Sequence, residues 1–140
     1  MWISIHVSKQ LFGSIRGRNI AGIAGGIATS ELVHKSIIIY DQFFKEKNKK
    51  SVIVHESSHH IYKNLGPDGV KEFVDLSGWG LEVDIAGQVF EIPPNVLIKP
   101  DSSISKEEDF SNHVEEFYSW PETYAKRYPK IHQFLKGRLK

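Results

Sequence analysis

The sequence predicts an α+β fold, with strands in its N-terminal half and helices in its C-terminal half. Residues 2–7 alternate between apolar and polar side chains, and residues 36–40 form a short β-branched run, so both segments are predicted strands. Residues 51–65 contain neither glycine nor proline, and residues 105–135 place apolar side chains at helical spacing. We therefore expect a small twisted N-terminal sheet over a central helix, followed by a helical C-terminal lobe.

The first half of the chain is predicted to consist of short strands joined by loops. Residues 13–28 are rich in glycine but lack the Lys-Ser or Lys-Thr pair of a phosphate-binding loop, so we interpret them as a hairpin or loop. Residues 36–40 are predicted to be a buried strand, which would accept an extended peptide if one edge were free. The lysine-rich run over residues 45–50 is predicted to be a solvated turn.

The second half is predicted to be mainly helical. Gly66 and Pro67 end the central helix, and residues 68–76 have the apolar spacing of a second helix. Residues 81–98 mix short β-like pieces with a Pro-Pro turn, and we interpret them as a loop or an irregular hairpin. Three more helices are predicted to begin after the N-cap Ser105, at Pro121 and at Pro129.

Length and composition predict one soluble domain, residues 1–140. Eighteen basic and seventeen acidic residues give a net charge of +1, which argues against a nucleic-acid partner bound through its phosphates. The chain shows no secretion signal and no apolar stretch of about 20 residues, so we expect no membrane partner. We expect a monomer, and the sequence does not indicate a compartment.

The central helix contains the pattern His-Glu-x-x-His at residues 55–59. Residues i and i+4 lie one turn apart on the same face of a helix, so His55 and His59 can bind one metal ion. Glu56 lies about 100° around the helix from His55, where a carboxylate can take a proton from a water molecule that zinc has acidified. The pattern therefore predicts two Zn²⁺ ligands, His55 and His59, and a catalytic general base, Glu56.

The alternative interpretation is that these residues are ordinary core or surface side chains. The chain has seven histidines, so the pattern can arise by chance. However, the flanking Val52, Ile53, Val54 and Ile61 indicate a buried helix, in which unpaired histidines and a glutamate would be costly. A bound metal removes that cost, and we therefore favour the metal site.

A catalytic zinc needs a third protein ligand and keeps its fourth position open. No third histidine follows His59 at the short spacing of the extended motifs, and His60 points about 100° away from His59. Because the chain has no cysteine, the ligand must be an acid or a histidine farther along. The candidates are Glu107, Glu108, Asp109, His113, Glu115 and Glu116 in one predicted helix, and the outlying acid Glu82.

The C-terminal part contains the segments Glu-Asp-Phe-Ser-Asn-His-Val at 108–114, Trp-Pro-Glu at 120–122 and Tyr-Pro-Lys-Ile-His-Gln-Phe-Leu at 128–135. These segments resemble the end of the lethal-factor-like zinc metallopeptidases, a group that includes the anthrax lethal factor protease domain and the secreted Pro-Pro endopeptidases. The resemblance extends over roughly residues 36–139. It implies a zincin-like fold in which Glu108 is the third zinc ligand and Phe110 matches the aromatic residue of the family pattern.

The chain departs from that family pattern in and before the acidic helix. Asn112 stands where the family has a second glutamate, which is expected to loosen the metal site, and Ser111 stands where alanine is usual. No tyrosine precedes Glu108 at the position from which the family donates a hydrogen bond to the transition state. The candidate substitutes are Tyr118, His113 and Tyr40. Glu108 also has an alternative role, because the Ser-x-x-Glu pattern that starts at Ser105 is a capping box.

These features predict a gluzincin-like zinc endopeptidase that acts on a protein or peptide substrate, with a toxin- or effector-like role if the substrate is one target protein. The alternative is a non-catalytic zinc-binding module, in which the metal holds the fold and the surface binds a regulatory partner. Glu56 argues against that alternative, because a structural zinc site has no use for a base.

Overall fold

A computed structural model describes residues 4–7, 28–31 and 36–139, with side chains for 36–40 and 43–139. The prediction for residues 13–28 lies, apart from Ala28, outside these ranges. The helices are α1 (Lys49–Asn64), α2 (Gly66–Ser77), α3 (Lys106–Ser119), α4 (Pro121–Arg127) and α5 (Pro129–Arg138). The strands are β1 (Ser4–Val7), β2 (Ala28–Glu31), β3 (Ser36–Ile39), β4 (Gly80–Val83) and β5 (Val89–Ile92), and Asp41–Lys45 and Pro100–Ser103 are short 3₁₀ helices. This mixture confirms the α+β class. None of the helices in the described ranges is long and apolar enough to cross a membrane.

The N-terminal strands form a three-stranded sheet in the order β1-β3-β2. β3 pairs parallel to β1, with Ile37 opposite Ile5, and antiparallel to β2, with Ile38 opposite Thr29. Ile37 and Ile39 are buried, as the sequence predicts for this strand. Because β3 is the central strand, both of its edges are already paired. The condition under which β3 would add an extended peptide, a free edge, is therefore not met.

Helix α1 has the local signals that its sequence predicts. It begins after Asn48, whose side-chain oxygen accepts a hydrogen bond from the backbone N–H of Ser51. It ends at Asn64, before Gly66, which adopts a φ of 70°, and Pro67. The lysines over residues 45–50 are exposed, as predicted, but Lys49 and Lys50 already belong to the first turn of α1 and not to a turn in front of it.

Helix α1 lies between the sheet and the helical lobe. Val52 and Ile53 pack against a buried cluster of Ile37, Ile39 and Phe43 on the sheet side. On the lobe side, α1 contacts the larger core through Val54, Ile61 and Tyr62, and Leu65, which follows the helix, packs against the same core. One helix therefore supplies apolar contacts to both layers, which fixes its position between them.

The C-terminal lobe is the larger core. Its buried side chains are Phe73 from α2, Phe110 and Val114 from α3, Tyr124 from α4, and Ile131, Phe134 and Leu135 from α5. Gly78 ends α2 with a φ of 86°, a left-handed conformation that glycine adopts without strain. Pro121 and Pro129 occupy the first positions of α4 and α5, as predicted.

Residues 81–98, predicted to be a loop or an irregular hairpin, include a regular one. Strands β4 and β5 are antiparallel, with Leu81 opposite Glu91 and Val83 opposite Val89. The turn is closed by a hydrogen bond of 2.9 Å from the Asp84 N–H to the Gln88 carbonyl. The short strand pieces visible in the sequence are therefore the two arms of one hairpin.

The base of this hairpin is attached to the start of α3. The indole N–H of buried Trp79 donates to Asp109 Oδ2 at 2.9 Å. Lys106 Nζ lies 2.7 Å from Glu91 Oε1. These two contacts place the hairpin beside the first turn of α3.

A buried polar group lies inside the helical lobe. The ring of His113 is only 3% exposed, and its Nδ1 is hydrogen-bonded to the Tyr124 hydroxyl at 2.8 Å. Burial, with a smaller contribution from the charge of Arg127, lowers the pKa of His113 to about 3. The imidazole is therefore neutral in the folded protein at ordinary pH.

This depressed pKa predicts a loss of stability in acid. The unfolded chain binds a proton at the usual histidine pKa of about 6.5, whereas folded His113 does not, so its contribution to stability is lost as the pH falls from 6.5 toward 3. We expect the free energy of unfolding to fall with pH more steeply in wild type than in His113→Gln, by about 1.4 kcal/mol per pH unit between pH 4 and 6. Urea unfolding across that range measures both slopes. Equal slopes would contradict a neutral buried His113.

Candidate metal centre

The candidate site lies between α1 and α3, which share the most extensive contacts of any two elements in the described ranges. His55 and His59 stand one turn apart on α1, with ring centroids 5.2 Å apart. Glu108 lies in the first turn of α3 and faces both rings. The helix pair therefore brings together the three residues predicted to be metal ligands.

The distances within this group are compatible with three ligands of one metal ion. Glu108 Oε2 lies 3.2 Å from His55 Nε2, and Glu108 Oε1 lies 3.5 Å from His59 Nε2. One ligand atom from each residue lies within 4.8 Å of the other two. A tetrahedral zinc site with bonds of about 2.0–2.1 Å separates its ligand atoms by about 3.3 Å, so small side-chain rotations would close the group around one ion.

The N-cap of α3 explains why the Glu108 side chain is available. Ser105 Oγ accepts a hydrogen bond from the Glu108 backbone N–H at 3.1 Å, which caps the helix through the backbone of Glu108. The carboxylate of Glu108 instead contacts the two histidines. Of the two roles that the sequence left open, the side chain is placed for the ligand role.

Each histidine contacts a further carboxylate through its other ring nitrogen. His59 Nδ1 lies 2.8 Å from Glu107 Oε1, and His55 Nδ1 lies 3.4 Å from Glu115 Oε2. Glu107 and Glu115 were alternative candidates for the third ligand. In the structure each contacts one histidine on the side away from Glu108.

The remaining alternatives for the third ligand have other contacts. Asp109 is buried and accepts the Trp79 hydrogen bond, and His113 lies in the core of the lobe. Glu116 Oε1 lies 3.9 Å from Lys99 Nζ, and Glu82 is exposed on β4. Within the described ranges, these four residues do not join the group that could hold a metal ion.

The carboxylates give His55 an unusual proton affinity in the metal-free protein. Burial alone would lower the pKa of His55, but its hydrogen bonds to Glu108 and Glu115 and the nearby charge of Glu56 outweigh burial and raise the pKa to about 9. The hydrogen bond to His55 in turn holds the pKa of Glu108 below its usual value, against the opposing effect of burial. Metal ligands must be deprotonated, so a metal ion would compete with a proton at His55.

The predicted general base, Glu56, lies on α1 next to His55 and is half-buried. Its charge contributes to raising the pKa of His55. Burial raises the pKa of Tyr40, at the end of β3, and the charge of Glu56 raises it further. The Glu56 carboxylate is therefore close enough to both side chains to interact with them electrostatically.

The structure does not bring His113 or Tyr118 to the group formed by His55, His59 and Glu108. His113 lies about 140° around α3 from Glu108 and points into the core, where its ring packs against Tyr124 and Tyr128. Tyr118 is 43% exposed and lies about 15 Å along the helix axis from Glu108. Neither is placed to donate a hydrogen bond to a substrate at the site. Of the three substitutes, only Tyr40 shares an environment with Glu56.

Asn112 has a structural role here. It stands where the family that the sequence resembles has a glutamate. Its side-chain amide donates to Asp101 Oδ1 at 2.8 Å and to Ser102 Oγ at 3.0 Å. Asn112 is buried and ties α3 to the preceding 3₁₀ helix. That Asn112 loosens the metal site stays a prediction; in the structure the acids that contact the two histidines are Glu107 and Glu115, together with Glu108.

Comparison with known proteins adds no relative to this description. No protein-family model, curated protein or solved structure matches the chain. The resemblance to the lethal-factor-like metallopeptidases therefore stays a prediction from the sequence.

The raised pKa of His55 predicts how the stability of the metal-free protein depends on pH. The folded pKa of about 9 lies above the unfolded value of about 6.5, so this contribution is complete below pH 6.5 and is lost as the pH rises through 9. With a chelator present, we expect wild type to lose about 3 kcal/mol more unfolding free energy than His55→Gln between pH 6 and 10. Urea unfolding measures this difference. Parallel curves for the two proteins would contradict the proposed protonation of His55.

Proposed function

We propose that this protein is a zinc-dependent endopeptidase with a zincin-like fold. The proposal rests on one observation: two Nε2 atoms and one carboxylate converge on a common point, with Glu56 beside the first histidine. Such a His₂Glu set, on a His-Glu-x-x-His helix and a second helix, is an arrangement that zinc peptidases use.

The chemistry of the donor set fits zinc. Imidazole nitrogen and carboxylate oxygen are both zinc ligands, and the chain has no cysteine that would make a closed thiolate site. Three protein ligands leave the fourth position of a tetrahedral site open, as catalytic sites do. When bound, zinc would supply Lewis acidity that polarises a peptide carbonyl and lowers the pKa of a water molecule to about 7.

The side chains of the site would then divide the remaining work. Zinc would be held by His55, His59 and Glu108, which project from two helices whose packing is fixed by the core. Glu56 takes a proton from the attacking water and gives it to the nitrogen of the leaving amine. The substrate is a protein or peptide, because peptide cleavage is the reaction for which this set of groups is suited.

Glu56 also separates the proposed enzyme from a non-catalytic zinc module. Glu56→Gln keeps the shape of the side chain but removes the base, so we expect cleavage to fall by a factor of about 10²–10⁴ while zinc content and folding stay unchanged. Glu122→Gln, at an exposed position on α4, is the matched control. The measurements are peptide-library cleavage, elemental analysis and circular dichroism.

Full cleavage by Glu56→Gln would refute the role of Glu56 as base. A wild type that binds zinc and folds, but cleaves no peptide in the library, would favour the interaction module.

Removal of the third ligand tests the metal site itself. Glu108→Ala keeps the backbone N–H that Ser105 caps, so we expect the helix to remain folded while zinc affinity falls by at least about tenfold. Isothermal titration with Zn²⁺ measures the affinity, and Glu122→Gln again serves as control. Unchanged affinity in Glu108→Ala would move the third ligand elsewhere and contradict the proposed His₂Glu set.

A further inference from the structure

The carboxylate of Glu115 is held in place from three sides. Ser51 Oγ, on the first turn of α1, donates a hydrogen bond to Oε1. Lys99 Nζ lies 2.7 Å from Oε2, and His55 Nδ1 lies 3.4 Å from that same oxygen. Glu115 therefore connects the candidate ligand His55 to two groups that come from different parts of the chain.

The Glu115 carboxylate is fixed by more partners than that of Glu107, although its own contact with a histidine is longer, at 3.4 Å against 2.8 Å. The side chain of Glu115 is 16% exposed, whereas that of Glu107, which contacts His59, is 35% exposed. Ion pairs and hydrogen bonds are screened less when they are less exposed. In addition, the lysine and the serine contact both oxygens of Glu115, which limits the rotation of this carboxylate.

We propose that Glu115 is a positioning residue, which accepts a hydrogen bond from His55 Nδ1–H and so aims His55 Nε2 at the metal. This inference rests on the metal site proposed above. The hydrogen bond at Nδ1 fixes which tautomer the imidazole adopts and leaves Nε2 as the free donor atom. It also restricts the orientation of the ring, because Glu115 and Glu108 contact different nitrogens of it.

The contacts to Lys99 and Ser51 explain why Glu115 would contact His55 and would not bind the metal itself. A glutamate so near to a divalent cation could otherwise turn and become a ligand itself. Lys99 balances the charge of the carboxylate at Oε2, and Ser51 holds the other oxygen, Oε1. Glu108 is then left as the carboxylate that faces the metal.

The test compares Glu115→Gln with Glu116→Gln, using Co²⁺ as the probe. Glu116 is the neighbouring residue, and its contact with Lys99 is longer, at 3.9 Å, so its replacement removes the same charge without touching His55. We expect Glu115→Gln to bind Co²⁺ about 10–100-fold more weakly than wild type. Glu116→Gln is expected to stay within about threefold.

Two further readouts separate positioning from a general loss of structure. The visible absorption spectrum of bound Co²⁺ reports the ligand geometry, and we expect it to change in Glu115→Gln only. The imidazole Nδ1–H signal of His55 in the proton NMR spectrum of the Zn²⁺-loaded protein is expected to be protected from exchange in wild type and Glu116→Gln, and lost in Glu115→Gln. Thermal unfolding of the metal-free variants shows whether both remain folded.

The outcomes distinguish this inference from the function it rests on. If wild type binds neither Co²⁺ nor Zn²⁺, the metal site fails and the inference fails with it. If wild type binds Co²⁺ but both variants match it in affinity and spectrum, the metal site stands and the role of Glu115 is refuted. Equal weakening in both variants would also refute it, because charge alone would then explain the effect.

Discussion

The structure depends on the packing of α1 against the sheet, the helical lobe and the first turn of α3. One side of the helix packs on the sheet through Val52 and Ile53, and another packs on the helical lobe through Val54 and Ile61. The remaining side presents His55 and His59 to the first turn of α3. Because the apolar contacts on two sides fix the helix, packing determines which side chains the polar side brings together.

Packing of α1 against α3 brings several charged side chains together at the candidate site. Three glutamates contact two histidines within the α1–α3 interface, and only part of their surface is exposed. Such a group is costly to bury unless opposite charges or hydrogen bonds compensate it. In the metal-free protein the compensation comes from a proton on His55 and from Lys99, whereas a divalent cation would replace the proton.

Much of this arrangement could be predicted from the sequence, because it is local. The bounds of α1, the N-cap at Ser105 and the starts of α4 and α5 follow from residues within a few positions of each helix end. The two histidines share a face because a helix repeats every 3.6 residues. These features need no knowledge of the rest of the chain.

The features that could not be predicted depend on tertiary packing. Six candidates for the third ligand lie on α3, and only the way α3 meets α1 brings Glu108 into one group with His55 and His59. The position of β3 between two strands is likewise set by pairing with residues far away in the chain. The contacts of Ser51 and Lys99 with Glu115 could not be predicted, because only tertiary packing brings these residues together. Glu115 itself lies seven residues after Glu108, so the helix repeat does predict that it shares the same face of α3.

One contact of α1 has a consequence for how the chain can vary. His60 Nε2 lies 3.0 Å from the carbonyl oxygen of Ser36, so His60 binds the sheet while its neighbour His59 faces Glu108. Deleting one residue in the first turns of α1 would rotate the later positions by about 100° and turn His60 into the direction that His59 now takes, and inserting one would turn His59 into the direction of His60. Homologues with the same site should therefore keep the number of residues between Asn48 and His60 constant, while the exposed turn of the β4–β5 hairpin is free to differ in length.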